Sequence, residues 1–495
     1  ICGGDSPYPR CPVCQTLCKK RSYCVVCKKY SDSSCLEHPG KSQLFSTRRV
    51  DIKQQFELAK KLIGARIDDL PVVVKGVRGT SSEEHNCEHL AKGLLRAKYN
   101  LHVNKDGTIR YDMTEMPISY FKPKEIGTSV TKLIELGYEK DINGDILKNE
   151  NQILEIFPHD IILPSCPETL DEKADDVFFN LSKFIDDELE KLYGLDRFFK
   201  SVNKDSLLGT LFACIAPHIC TATVGRLIGF SKTQVFFASP FMHAAMRRDC
   251  DGDEAAVILL MDMLLNFSRK FLPSHRGGTQ DAPLVLNVKI NAGEVDDQIL
   301  DFVCGNYPLE LYELAEQRKH SSEVKVEKIS HRLKNKQDTF TKLGFTHDCD
   351  DINRAVLNSA YKTLPTMHDK VSEQMDLCSK IRAVDTSDVA RLIIERHFIR
   401  DIRGNLRKFS QQVFRCVGCN DKYRRPPLAG KCTSCGGKII FTISEGSIIK
   451  YMAAALDLAR TYNVSPYLLE NLEIVQSDIH SIFGKEKEKQ MKLSF

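Results

Sequence analysis

Four CxxC pairs set the tightest limits on how this chain folds. "CVGCNDKYRRPPLAGKCTSC" spaces Cys416, Cys419, Cys432 and Cys435 as CxxC-x12-CxxC. Two knuckles at that separation bring four thiolates to one tetrahedral Zn²⁺, so the segment must double back on itself. Four thiolates leave no open coordination position, and the expected role is structural. Near the start, Cys11, Cys14, Cys24 and Cys27 repeat the pattern as CxxC-x9-CxxC, which predicts a second four-cysteine zinc site. Cys2, Cys18, Cys35 and His38 are left over as alternative ligands, members of a partial second site, or ordinary thiols. Of 19 cysteines, seven fall in residues 2–35 and four in 416–435. The rest are scattered singly and read as core thiols, so the pattern points to a reducing interior rather than to secretion.

A chain of 495 residues is too long for one core, and three or four domains are expected. With 42% hydrophobic and 27% charged residues it belongs with ordinary globular proteins. A net charge of +4 is small, so any nucleic-acid surface must come from local clustering. The most apolar run, "AAVILLMDMLLNF", is interrupted by Asp262 and Asn266 and reads as a buried helix rather than a membrane span. No signal-peptide pattern is present, and a cytoplasmic location is expected.

Helical spacing marks "VDIKQQFELAKKLIG", "TSVTKLIELGY", "DEKADDVFFNLSKFIDDELEKLYGL" and "SIIKYMAAALDLARTYNV". "LPVVVKGVRG" and "APLVLNVKI" read as strands, and "NLHVNKDGTIRYDM" as a hairpin about Asp106-Gly107. "PISYFKPKEIG" reads as an extended loop. "LFACIAPHICTATVGRLIGF" is rich in small residues, as where backbone packs closely. A helix is predicted from Glu254 to Phe271, and residues 310–400 read as mostly helical.

"RRDCDGDE" places Asp249, Asp251 and Asp253 on alternate residues, with Glu254 next. Residues two apart on extended chain face one side, and a tight turn at Gly252 draws the three together. Converging carboxylates repel unless a divalent cation neutralises them, and Mg²⁺ is the oxygen-seeking ion that fits. An EF-hand loop needs glycine sixth and glutamate twelfth; counting from Asp249 or Asp251 meets neither requirement. The plainer alternative is a helix start with Asp253 as N-cap and Glu254 on the helix dipole. His243, Arg247 and Arg248 precede the carboxylates, and Arg276, Gly277 and Gly278 follow. Cations, carboxylates and glycines together are what metal-assisted phosphoryl transfer requires. His243 and His218 frame the loop, each as a substrate contact or a core histidine.

"HAAMRRDCDGDE", "LLNFSRKFLPSHRGGTQDAPLVL", "FKPKEIG" and "KYRRPPLAGKCTSCGG" resemble the large subunit of the archaeal family-D DNA polymerase, over about residues 68–483. The resemblance implies a multidomain α+β protein with two double-psi β-barrels, helical insertions and four-cysteine zinc modules. It divides the chain into an N-terminal zinc module (1–45), a first barrel (46–150), a helical connector (151–210) and a second barrel with the acidic loop (211–310). A mostly helical region (311–410), a zinc module (411–445) and C-terminal helices with a tail (446–495) follow. It implies template-directed transfer of deoxynucleotides to a primer, with Asp251 and Asp253 binding two Mg²⁺ ions and Lys122 and Lys124 positioning the nucleotide. Lys75 and Arg78 join Arg247 and Arg248 as candidate phosphate contacts. The family commonly has asparagine at the position of Asp249, so Asp249 is either a third ligand or an acceptor that orients Arg247 or Arg248. The family's large subunit is about twice this length, and a chain beginning at Ile1 is expected to be its catalytic and C-terminal portion.

The resemblance also implies a small proofreading exonuclease subunit, with the C-terminal zinc region as its docking surface. From Arg396 to Lys438 eleven Lys/Arg face only Asp401 and Asp421, and Arg424 and Arg425 lie between the knuckles. That density favours duplex phosphates or an acidic partner over a merely solvated face. Gln490, Leu493 and Phe495 resemble a sliding-clamp-binding peptide, against a plain charged tail. Two rival readings remain: an RNA-synthesising two-barrel polymerase, and a non-catalytic zinc-containing DNA-binding scaffold.

Overall fold

A computed structural model describes residues 21–43, 51–64, 88–104, 106–217, 219, 221–267, 285–345, 349–354, 357, 363–440 and 443–483, and positions 2, 6, 8, 10, 11, 13, 14 and 16–19 before them. The chain forms two compact units. The first comprises Ile1–Tyr307 with Val326–Asn358, and the second Pro308–Lys325 with Ser359–Phe495.

The first unit opens with a small antiparallel sheet of β1 (Ser22–Cys24), β2 (Tyr30–Ser31) and β3 (Ser42–Gln43). Helix α1 (Ile52–Ile63) follows; Asp51 caps it by accepting from the Gln54 N–H, and Ala59 and Ile63 are its buried residues. Helix α2 (Leu90–Lys98) precedes β4 (Tyr111–Pro117), β5 (Tyr120–Phe121), α3 (Val130–Glu135) and β6 (Leu154–Glu155). Next come β7 (Asp160–Pro164), α4 (Ala174–Glu188), β8 (Leu211–Ile215), β9 (Thr221–Ser231) and β10 (Val235–Ala238). Helix α5 (Pro240–Ala245), β11 (Glu254–Leu259), α6 (Leu260–Asn266) and β12 (Val285–Asn287) complete the part that carries the acidic run.

The main sheet has the order β12-β9-β7-β10-β4-β11-β8, and β8 also pairs with β9. Six strands therefore close into a ring, which leaves them no free edge. Pairs β10–β4 and β7–β9 are parallel, and the other four junctions are antiparallel. One ring thus draws β4 from the stretch 46–150 and β8 to β11 from 211–310, the two stretches expected to hold separate barrels, and β7 from 151–210, the stretch expected to be a helical connector. The small residues of β9 have a steric reason. A Cβ at Gly229 would meet Ile126 at 2.7 Å, and one at Gly225 would meet Cys214 and Ile161 at 2.9 Å.

Helix α4 covers the ring with Phe178, Leu181, Phe184 and Ile185, in one core with Leu94, Leu95, Phe212, Phe236 and Phe241. Inside that core lies a buried ionic network. Arg96 donates to both Glu88 oxygens at 2.8 and 2.9 Å, and Lys92 reaches Glu188 at 2.7 Å. Asn266 donates to Glu188 and Asp262 at 2.9 and 2.8 Å. The Ile109 N–H donates to Asp262 at 2.7 Å, which ties α6 to the turn leading into β4. Burial pushes the Asp262 carboxyl up to about 7.

Two local expectations are corrected. Residues from Glu254 do not start a helix: Glu254–Leu259 is a strand, and only Leu260–Asn266 is helical. The apolar run "AAVIL" carries no helical periodicity of its own, and antiparallel pairing with β4 and β8 claims it. Asp253 is therefore not a helix N-cap. The Asp106-Gly107 segment does turn, with the Asn104 N–H donating to Thr108 carbonyl at 2.8 Å, but it makes no hairpin. The strand after it, β4, pairs with β10 and β11 instead. "LPVVVKGVRG" and the loop with Arg276, Gly277 and Gly278 lie outside the described residues.

The second unit is helical around a zinc-type ribbon. Helices Met367–Lys380, Thr386–Leu392, Ile399–Gln411, Met452–Thr461 and Pro466–Phe483 share a core that includes Met375, Ile394, Ile402, Ala455 and Leu472. The ribbon pairs Phe414–Cys416 with Lys422–Tyr423 on one side and Ile439–Ile440 on the other. Among the described residues, no helix is long and apolar enough to cross a membrane.

Candidate metal centre

The acidic run is held between two ring elements. Strand β10 ends at Ala238, and the hydroxyl of the next residue, Ser239, accepts from the Phe241 N–H and starts α5 with Pro240 in its first turn. Past α5 the backbone takes positive φ at Arg247 (62°), Cys250 (65°) and Gly252 (98°). Three such residues in six coil the segment tightly. At 98° only glycine is comfortable, and the space beside Gly252 is open, with Thr114 at 3.8 Å from a built Cβ. The demand on Gly252 is thus one of backbone conformation. Burial pushes the Cys250 thiol up, so it stays neutral beneath the loop.

Strand pairing then decides what meets the loop. Strand β11 starts with Glu254 opposite Thr114. One step further in the same register puts Glu115 opposite Asp253, and the Glu115 N–H donates to the Asp253 carbonyl at 2.9 Å. One carboxylate oxygen from each of Glu115, Asp251 and Asp253 lies within 4.8 Å of the others. Glu115 is fully buried, Asp253 half-buried and Asp251 exposed. Asp249 is exposed and stands outside this group.

The neighbouring cations are already engaged. Arg248 reaches Asp253 at 3.4 Å, and Arg247 turns to Asp296 at 3.6 Å. His243, a candidate substrate contact, is fully buried behind Glu115. Its Nε2–H donates to the Met116 carbonyl at 3.2 Å, and its Nδ1 lies 2.9 Å from Glu115 Oε2. Lys122 donates to the Asp350 carbonyl at 2.5 Å and lies 3.9 Å from Glu125, beside the short turn Pro123–Glu125. Lys124, within that turn, is exposed. Lys75, Arg78, His218, Gln490, Leu493 and Phe495 lie outside the described residues.

Sequence alone does not single out Glu115, which lies two residues beyond the stretch that reads as a hairpin, "NLHVNKDGTIRYDM". A signal was present in "YDMTEMP". Tyr111, Met113 and Glu115 share one face of the strand, so a carboxylate falls in phase with apolar residues.

The cysteines form three metal-capable groups among the described residues. Cys416, Cys419, Cys432 and Cys435 come together as their spacing predicts. The Tyr423 hydroxyl beside Cys432, at 3.1 Å, helps hold that thiol down to about 6. Arg424 and Arg425 are exposed on the same ribbon. At the N-terminus the expected set Cys11, Cys14, Cys24 and Cys27 is not what assembles. Cys24 and Cys27 join Cys35 and His38, while Cys11 and Cys14 join Cys2. The reason is topological: β1 and β3 pair antiparallel, and the Cys35 N–H bonds Ser42 at 2.8 Å, which folds the 35–38 segment back onto the 24–27 knuckle. Each of these groups suits a thiolate-preferring ion such as Zn²⁺.

Residues 68–370, which contain the whole acidic centre, match the family model described as DNA polymerase II large subunit DP2, catalytic domain. Over its full length the chain is 44% identical to the DNA polymerase II large subunit of Archaeoglobus fulgidus and covers 43% of that protein. It is 43% identical over 97% of its length to the DNA polymerase II large subunit of Pyrococcus furiosus, of which it covers 38%. The chain thus spans about two fifths of the length of these curated relatives. A family model matching more than half of the chain, with such identity along its whole length, establishes that it belongs to the archaeal DNA polymerase II large-subunit family.

Proposed function

We propose that this chain carries the nucleotidyl-transfer centre of a DNA-directed DNA polymerase that acts in replication. The observation that carries the proposal is the convergence of Asp251 and Asp253 on one point of a closed strand ring, inside a segment that matches a polymerase catalytic domain. The donor set is all carboxylate oxygen, which suits Mg²⁺ better than a thiolate-preferring ion. Asp251 and Asp253 would hold two Mg²⁺ ions. When bound, these supply activation of the primer 3′-hydroxyl and neutralise the charge on the leaving pyrophosphate.

The chain's own residues divide the remaining work. Arg248 keeps Asp253 oriented. Lys124 is exposed and available to nucleotide phosphates, and Lys122, Lys75, Arg78, Arg247 and Arg276 are further candidates. Asp249, exposed and outside the group of three carboxylates, is read as an acceptor that orients Arg247 or Arg248 when substrate is bound. The ring is the barrel that bears the acidic loop, and a second double-psi barrel is part of this reading. The cysteine groups hold structural Zn²⁺. The exposed bases of Ile399–Gln411 and of the ribbon contact primer-template DNA or a small proofreading subunit, and Gln490, Leu493 and Phe495 engage a sliding clamp. The location is cytoplasmic.

Primer extension by the protein in its natural assembly tests this reading, with dNTPs and NTPs supplied separately. The D251A/D253A variant should lose about a thousandfold or more of dNTP incorporation while binding DNA as before. Unchanged extension by that variant, or incorporation of NTPs alone, overturns the reading.

A further inference from the structure

Glu115 is an uncomfortable group among the described residues of the first unit. It is fully buried, and neither carboxylate oxygen makes an aligned hydrogen bond among the described residues. His243 Nδ1 sits 2.9 Å from Oε2, yet that nitrogen likewise forms no aligned hydrogen bond. A carboxylate left so in a protein interior costs free energy that a satisfied or apolar residue would not. It also stands opposite Asp253 across two paired strands, where like charges destabilise the pair. Its neighbours on the same face of β4, Met113 and Tyr111, are apolar or aromatic. What Glu115 does have is an oxygen within 4.8 Å of a carboxylate oxygen of both Asp251 and Asp253.

We propose that Glu115 is a metal ligand of the acidic centre, supplied from β4 beneath the loop, and that it rather than Asp249 is the third carboxylate. The inference rests on the reading that Asp251 and Asp253 bind a divalent cation, and it extends that reading to a strand more than a hundred residues away. It explains two observations together. A cation removes the repulsion between opposed Glu115 and Asp253, and it supplies a partner for Glu115 Oε1, which has no hydrogen bond among the described residues. The two aspartates sit on a coiled loop, whereas Glu115 sits on a strand inside the ring, so the ring itself positions one coordinating oxygen. His243, held by the Met116 carbonyl, limits where that carboxylate can turn.

The test is Mn²⁺ binding to the whole zinc-loaded chain, followed by electron paramagnetic resonance, with thermal melting as a second readout. Glu115→Gln should weaken Mn²⁺ binding about tenfold or more, as Asp251→Asn does, while Asp249→Asn changes it by no more than about threefold. Without Mn²⁺, Glu115→Gln should melt no lower than the parent chain, because the repulsion between Glu115 and Asp253 has been removed; the rise in melting temperature on adding Mn²⁺ should shrink. If Glu115→Gln does not fold, Glu115→Asp keeps the charge but withdraws the oxygen, and should weaken Mn²⁺ binding by about threefold or more. Mn²⁺ binding by Glu115→Gln within about twofold of the parent, with Asp251→Asn defective, overturns this inference and leaves the proposed function standing. If Asp251→Asn and Asp253→Asn also bind Mn²⁺ normally, the metal reading of the loop fails, and this inference with it.

Discussion

The C-terminal four-cysteine ribbon and the acidic centre are both clusters of side chains that could hold a metal ion, but they are assembled differently. All four ribbon cysteines lie between Cys416 and Cys435 and are drawn together by tight turns within that stretch. The acidic centre takes two carboxylates from one loop and a third from β4, and the third arrives only because β11 pairs with β4 in one register. A one-residue slip in that register would turn Glu115 to the opposite face. Sites built from local turns are legible in spacing. Sites built from strand pairing are not. The N-terminal cysteines lie between these cases: the 24–27 knuckle is local, but its partners Cys35 and His38 come from a fold-back that spacing did not favour.

Four experiments press on this contrast. The largest effect is expected at the ribbon. Cys432→Ser should remove one zinc per chain and expose amides 414–440 to rapid hydrogen exchange, because structural zinc supplies about 10 kcal/mol or more to such modules. Retained zinc with unchanged exchange would mean that the ribbon does not depend on its metal. Next, Cys35→Ser should also cost one zinc per chain. If Cys11, Cys14, Cys24 and Cys27 formed the site instead, zinc content would not change; metal analysis distinguishes the two.

The third effect concerns what holds β4 and β11 in register. Burial raises Asp262 to about 7, well above its unfolded value of 3.8. Between those values the folded state binds the extra proton, so stability is greatest at low pH and falls as pH rises towards 7. His89, lowered to about 4 by burial, acts with the opposite sign below its ordinary 6.5. The difference between the parent chain and Asp262→Asn isolates the aspartate. Chemical denaturation should show the parent losing about 2 kcal/mol more than the variant between about pH 5.5 and pH 7.5. Parallel pH profiles would show that Asp262 is ionised throughout. The smallest effect is at the exposed bases. Arg424→Ala with Arg425→Ala should weaken duplex binding only a few-fold and lower the salt slope by about two, if both touch phosphate. An unchanged slope would assign that face to a protein partner.

Helices with an apolar stripe, such as Ile52–Ile63, which Asp51 also caps, and Ala174–Glu188, are readable because pattern and burial agree there. Failures came where a short apolar run was ambiguous. "AAVIL" fits a helix or a buried strand equally, and its neighbours in space decided for the strand. The turn at Asp106-Gly107 was legible, but the partner of the strand after it was not, since β4 pairs with segments more than a hundred residues away.

The sequence by itself determined the chemistry available: thiolates in knuckles, a glycine that lets an aspartate run coil, and a basic stretch about the second zinc module. It also determined the family, through long blocks of side chains. Only the tertiary structure decided which groups share a site. It brought Glu115 into the acidic centre, left Asp249 exposed outside it, set His243 beside a carboxylate and split the N-terminal cysteines into two groups. The physical reason is that strand register and fold-back are set by the summed burial of many residues, whereas a knuckle is set by the few residues it contains.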